Sequence, residues 1–142
     1  RGGIEADLTV TRTGDESFLI LTSAACQTRD LAWLKKHVGE NAKAFATDVT
    51  SAYAVLALMG PASRETLSPL TSADLSDEGF PFATSQEIEL GYGIVRASRI
   101  TYVGELGWEL YIPTEFAQGA FDLLLDAGQA HGLRLAGYHA LN

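Results

Sequence analysis

Between Tyr102 and Pro113 the chain sets an acid, Glu109, inside a run otherwise built from large apolar and aromatic residues. A carboxylate in such a run is solvated, paired or reserved for a ligand, because leaving water without compensation is costly. Read as a strand, the run alternates with period two, so Trp108, Leu110 and Ile112 fall on one face and Glu109 and Tyr111 on the other. The first face reads as core. The second reads in two ways. Glu109 is either the solvated side of a half-buried antiparallel strand or, beside the Tyr111 ring, a planar acceptor for a flat heterocycle with adjacent N–H donors. Pterins carry such an edge.

A second acid occupies similar surroundings. Asp7 follows Gly2-Gly3-Ile4-Glu5-Ala6 and is expected to open a strand, Leu8 to Arg12, with the glycines permitting positive φ and close backbone approach. Aspartate is depleted within strands, so Asp7 is either a strand-end turn acid or a placed functional group.

The two segments together resemble the folate-binding aminomethyltransferase family, which includes the glycine-cleavage aminomethyltransferase and the C-terminal parts of dimethylglycine and sarcosine dehydrogenases. Gly2-Gly3-Ile4-Glu5-Ala6-Asp7-Leu8 resembles the family's Gly-Gly-Ile-x-x-Asp-Leu strand, and Ala57-Leu58-Met59-Gly60-Pro61 its strand, Gly-Pro, helix junction. Arg99 to Glu109 resembles its Arg-x-x-Tyr-x-Gly-Glu-x-Gly-aromatic-Glu signature, through Arg99, Tyr102, Gly104, Glu105, Gly107, Trp108 and Glu109. The end of the chain, Gly137-Tyr138-His139-Ala140-Leu141-Asn142, is closer to the dimethylglycine dehydrogenase branch, because the glycine-cleavage enzymes carry Arg where Leu141 stands.

The resemblance implies a partial aminomethyltransferase folate-binding fold and a role in a larger parent enzyme. On that basis the chain is part of the tetrahydrofolate domain of a flavin-dependent N-methylglycine-type dehydrogenase, with FAD expected in another part of the parent. There a one-carbon unit from an iminium or formaldehyde would pass to tetrahydrofolate, giving 5,10-methylenetetrahydrofolate. Asp7 is carried over as the catalytic acid near the reacting folate nitrogens, and Glu109 as the acid holding the pterin. Tyr111 and Arg99 are candidate binding residues beside them. For each there is a plain structural alternative: a strand-forming aromatic for Tyr111 and a surface ion pair with Glu105 for Arg99. The expected partners are folate, the one-carbon donor and the parent's flavin domain. Two other functions fit the same resemblance: a non-catalytic folate-binding or regulatory module, and a glycine-cleavage-type aminomethyltransferase.

At 142 residues, 46% of them hydrophobic and 20% charged, the chain can bury a core as one domain or two small lobes. A net charge of -8 and no basic cluster interleaved with aromatics argue against nucleic-acid binding. The longest apolar run, Ala52 to Met59, is far too short for a membrane span. The single cysteine, Cys26, rules out an internal disulfide and a cysteine-based zinc site; it fits a reducing, cytoplasmic setting and reads as a small buried residue near a helix start. His37, His131 and His139 are too scattered for a local metal motif, so no metal is expected. No Gly-x-Ser-x-Gly elbow or phosphate-cradling glycine loop is present. Starting at Arg1 and stopping at Asn142 in an apparent helical turn, the chain reads as a piece of a longer protein, expected to be inactive alone.

The expected class is α+β, with two strand-strand-helix lobes on antiparallel or mixed sheets. Residues 1–70 form the first lobe: a hairpin of Leu8 to Arg12 with Ser17 to Thr22, a helix from Thr28 to His37 stopped by Gly39, strands at Phe45 to Val49 and Tyr53 to Met59, and a helix from Pro61 to about Leu70. Residues 71–84 read as a loop with one apolar insertion, Phe80-Pro81-Phe82. Residues 85–142 form the second lobe: strands near Ser85 to Leu90, Gly93 to Ile100 and Trp108 to Ile112, then a helix whose stripe is Phe116, Ala120, Leu123, Leu124 and Ala127, closed by Gly132.

Overall fold

A computed structural model describes residues 2–140; Arg1, Leu141 and Asn142, and with Leu141 the position that separates the two family branches, lie outside the described residues. The chain divides into two compact units, residues 1–49 and 50–142.

In the first unit the expected hairpin forms as β1 (Thr9–Arg12) and β2 (Phe18–Leu21), antiparallel with Thr9 opposite Leu21 and Arg12 opposite Phe18. The turn is closed by the Thr13 N–H on the Ser17 carbonyl and by Arg12 Nε on the Gly14 carbonyl at 3.0 Å. Helix α1 (Gln27–His37) ends as predicted, but Val38 makes the final bond to the Leu34 carbonyl in an extended conformation, so Gly39 is not the cap. Cys26, half-buried, sits in the short 3-10 turn that leads into α1. At its far end His37 stacks on Trp33 with ring centroids 4.0 Å apart. Among the described residues of this unit the buried one is Asp30, which accepts bonds from the Thr22 hydroxyl and from Arg29 Nε at 2.8 Å. Arg29 first, then Thr22, holds its carboxyl below the usual aspartate range.

Two expectations for this half of the chain fail. Phe45 to Val49 is not a strand: Phe45 is exposed and the Asp48 carboxylate accepts a bond from Gln27 Nε2 at 2.7 Å. A five-residue segment becomes a strand only where another strand pairs with it. Nor does the break between lobes fall at 71–84. Strand β3 (Tyr53–Met59), assigned by sequence to the first lobe, pairs antiparallel with β6 (Gly107–Pro113), Leu56 opposite Leu110 and Ala57 opposite Glu109. The presumed linker supplies core residues, Leu75 at 4% exposure and Phe80 at 0%.

The second unit is a four-stranded antiparallel sheet in the order β3-β6-β5-β4, where β4 is Ser85–Leu90 and β5 is Gly93–Ser98. Helix α2 (Ser63–Leu67) and helix α3 (Ala117–Gly128) pack on one face. That face is made of the alternate residues Leu58, Ile88, Leu90, Val95, Ala97, Trp108, Leu110 and Ile112, joined by Leu67, Ala120 and Leu124 from the helices. The predicted alternation of β6 is therefore realised, with Trp108, Leu110 and Ile112 all at 0% exposure. Trp108 meets Phe80 edge to face at 6.1 Å, which plugs residues 71–84 into the sheet's covered face. Helix α3 runs on through a 3-10 turn to Gly132 at φ 71, the left-handed closing residue expected there.

Candidate functional site

Because β6 is an inner strand, the second face of the alternation sits in the middle of the sheet's other side. Glu109 lies between Ala57 on β3 and Ser98 on β5; Tyr111 lies between Val55 and Arg96. Glu109 is half-buried, while Tyr111 is 2% exposed. The Tyr111 hydroxyl donates to Glu109 Oε2 at 2.5 Å. Burial first, then the bond to Glu109 and its charge, drives the Tyr111 phenol far above its ordinary range; a weaker bond from Ser98 acts in the opposite direction. Ser98, itself buried, also has its Oγ 3.0 Å from Ser85 Oγ.

The nearest cation by register does not neutralise Glu109. Arg96 is committed to Glu87 at 2.6 Å. On β3 the neighbours of the acid on this face are apolar and exposed: Ala57 opposite it and Val55, 50% exposed, two residues along. An oriented carboxylate on an apolar floor is chemically suited to a flat ligand with N–H donors along one edge.

The other sequence candidates fall elsewhere. Arg99 does not pair with Glu105: its guanidinium donates to Asp77 Oδ1 and to the Phe80 carbonyl, each at 2.7 Å, and lies 5.8 Å from the Trp108 ring centre. Arg64 joins it on Asp77 at 2.5 Å, and the two guanidiniums, Arg64 first, hold that carboxyl below its ordinary range. Arg99 thereby ties residues 71–84 down over Trp108. An open cleft of about 330 Å³ beside it is lined by Phe82, Thr101, Glu105 and Leu106 among others, and includes neither Glu109 nor Tyr111. Asp7 is exposed and precedes β1 by two residues, with Gly2 upstream at φ 77 as the glycine pair predicts. Asp7 belongs to the first unit and Glu109 to the second.

Sequence reasoning paired Tyr111 with Glu109 only as face-mates. The i, i+2 spacing in an inner strand was the available signal for the bond between them, and Ser98 and Ser85 gave none. Among the described residues no cluster of three or more His, Cys, Asp or Glu is placed to hold a metal ion, and no helix is long and apolar enough to cross a membrane.

The profile of the GCVT N-terminal domain matches residues 1–142. A 4-methylaminobutanoate oxidase (formaldehyde-forming) from Paenarthrobacter nicotinovorans is 42% identical over 142 residues, which is 100% of this chain and 17% of the oxidase. The mitochondrial dimethylglycine dehydrogenase of Homo sapiens is 34% identical over 143 residues, covering 100% of this chain and 16% of that protein. The chain thus spans no more than 17% of the length of either relative. A solved heterotetrameric sarcosine oxidase from Corynebacterium sp. U-96, in complex with pyrrole 2-carboxylate, matches with a TM-score of 0.74 at 23% identity, over 95% of this chain and 66% of that one. This likeness establishes the shared α+β fold. Matched along its whole length by one profile, the chain belongs to the GCVT N-terminal domain family.

Proposed function

We propose that the chain is part of the tetrahydrofolate-binding domain of a larger flavin-dependent enzyme that oxidises an N-methylamine, and that it helps to load the released one-carbon unit onto folate. The observation that carries this reading is Glu109: half-buried in an inner strand, held by Tyr111 and without a cationic partner among the described residues. Its apolar surroundings fit a pterin, whose edge presents N–H donors in a plane. The names of the relatives, a formaldehyde-forming oxidase of a methylamino acid and a dimethylglycine dehydrogenase, support the oxidative half of the proposal.

Reduced folate, when bound, supplies the two amines that take up formaldehyde with loss of water, giving 5,10-methylenetetrahydrofolate. The protein's own task is orientation and charge. Glu109 accepts the pterin N–H groups and sets the plane of the ring. Asp7 stands beside the reacting nitrogens, where it takes up a proton or stabilises developing positive charge. Arg99 anchors residues 71–84 and lines the open cleft beside them, where it is a candidate binding residue. The flavin lies in another part of the parent, and the single cysteine fits a cytoplasmic location, testable by cell fractionation.

The test uses the full-length parent. Asp7→Ala is expected to leave amine oxidation unchanged while 5,10-methylenetetrahydrofolate falls and free formaldehyde rises by the same amount. An unchanged split between the two products removes Asp7 from the chemistry.

A further inference from the structure

The buried phenol behind Glu109 has no role in the reading above beyond being near it. A ring at 2% exposure offers no face on which a ligand stacks, so the notion of Tyr111 as a pocket wall does not fit its placement. What the side chain does present is its hydroxyl, aimed along the strand at Glu109 Oε2, 2.5 Å away. Oε1 has no protein hydrogen-bond partner among the described residues. Arg96, which lies across from Tyr111, is held by Glu87, so no guanidinium competes for the acid. A free glutamate side chain samples many rotamers, whereas this one is fixed at one oxygen and open at the other.

We propose that Tyr111 is a positioning residue, whose buried hydroxyl holds Oε2 of Glu109 so that Oε1 faces the donor edge of the ligand. The proposal rests on the reading of Glu109 as the folate acceptor. Burial first, then Glu109, raises the phenol above its ordinary range, which favours its protonated, donating form. Its contribution is pre-organisation: the glutamate loses its freedom on folding instead of on binding. Ser98, on the neighbouring strand β5, is a second hydrogen-bond partner of the phenol.

The experiment is a double-mutant cycle on tetrahydrofolate affinity in the full-length parent, measured anaerobically by calorimetry, with amine-oxidation kcat recorded alongside. Tyr111→Phe is expected to weaken affinity about two- to twelve-fold, the equivalent of immobilising one rotamer-rich side chain at the moment of binding. In a Glu109→Ala background the same substitution is expected to do nothing more, because its effect travels through the acid. An equal loss in both backgrounds overturns the proposal, since Tyr111 would then act by packing or by direct contact. No loss in either overturns it as well. If Glu109→Ala itself leaves affinity intact, the acceptor reading falls and the positioning role falls with it; if Glu109→Ala weakens binding and Tyr111→Phe does not, the positioning role alone fails. Should Tyr111→Phe unfold the domain, 3-fluorotyrosine at position 111 keeps the ring and hydroxyl but changes the donor's acidity. Its effect on affinity must likewise disappear without Glu109.

Discussion

Replacing Trp108 by phenylalanine tests the account of the second unit's core, because two sizeable terms oppose each other there. Trp108 is fully buried, meets Phe80 edge to face, lies under Arg99, and its indole Nε1 has no hydrogen-bond partner among the described residues. Phenylalanine buries roughly 40 Å² less apolar surface, which costs about 1 kcal/mol at about 25 cal/mol per Å². The void left behind, roughly 40 Å³, adds about 1 kcal/mol more. Against that, an unsatisfied N–H no longer has to be buried, which returns about 1–3 kcal/mol. The sum therefore lies within about 1 kcal/mol of zero, whereas Trp108→Ala, which empties the whole ring's volume, costs about 3–5 kcal/mol. Urea unfolding of the 142-residue chain, followed by circular dichroism at constant m-value, measures both differences. A Trp108→Phe cost above about 2.5 kcal/mol would refute the reasoning, since it would mean that the indole N–H is bonded in the native state and its loss is felt.

Glu109→Gln keeps the shape and removes the charge; it is expected to weaken tetrahydrofolate binding by about 1.5–3 kcal/mol in the parent. Equal affinity by calorimetry would return Glu109 to a solvated strand position. Asp77→Asn weakens the tie between residues 71–84 and the two arginines, so limited proteolysis within 71–84 is expected to quicken at neutral pH. Because Arg64 and Arg99 lower the folded-state pKa of Asp77, its stabilisation is fully present above the unfolded value of about 3.9 and fades as pH drops through the folded one. Wild type and variant should then converge in acid; a difference that persists there would assign the effect to something other than charge.

Period two in β6 was legible because it is local. A strand's geometry sends successive side chains to opposite faces whatever surrounds it, so Trp108, Leu110 and Ile112 read as core from the chain alone. The β1 and β2 hairpin, the end of α1 at His37 and the left-handed Gly132 follow equally from short-range backbone preferences. So does the signature from Arg99 to Glu109, which points to the family before any contact is known.

Tertiary structure alone decided what lies far apart in sequence. Strand β3 leaves its sequence neighbours to pair with β6 some fifty residues on, and Phe80, which reads as part of a loop, fills the space over Trp108. Arg99 had Glu105 within easy reach, yet the fold of residues 71–84 brings Asp77 and the Phe80 carbonyl closer. The same holds at the candidate site. Sequence marked Glu109 and Tyr111 as sharing a face; only their placement in an inner strand, with water largely excluded from the phenol, turns that into a short hydrogen bond. Local conformation is set by each residue's own backbone and its near neighbours, whereas strand order, burial and the partner of a long side chain are settled by packing of the whole unit.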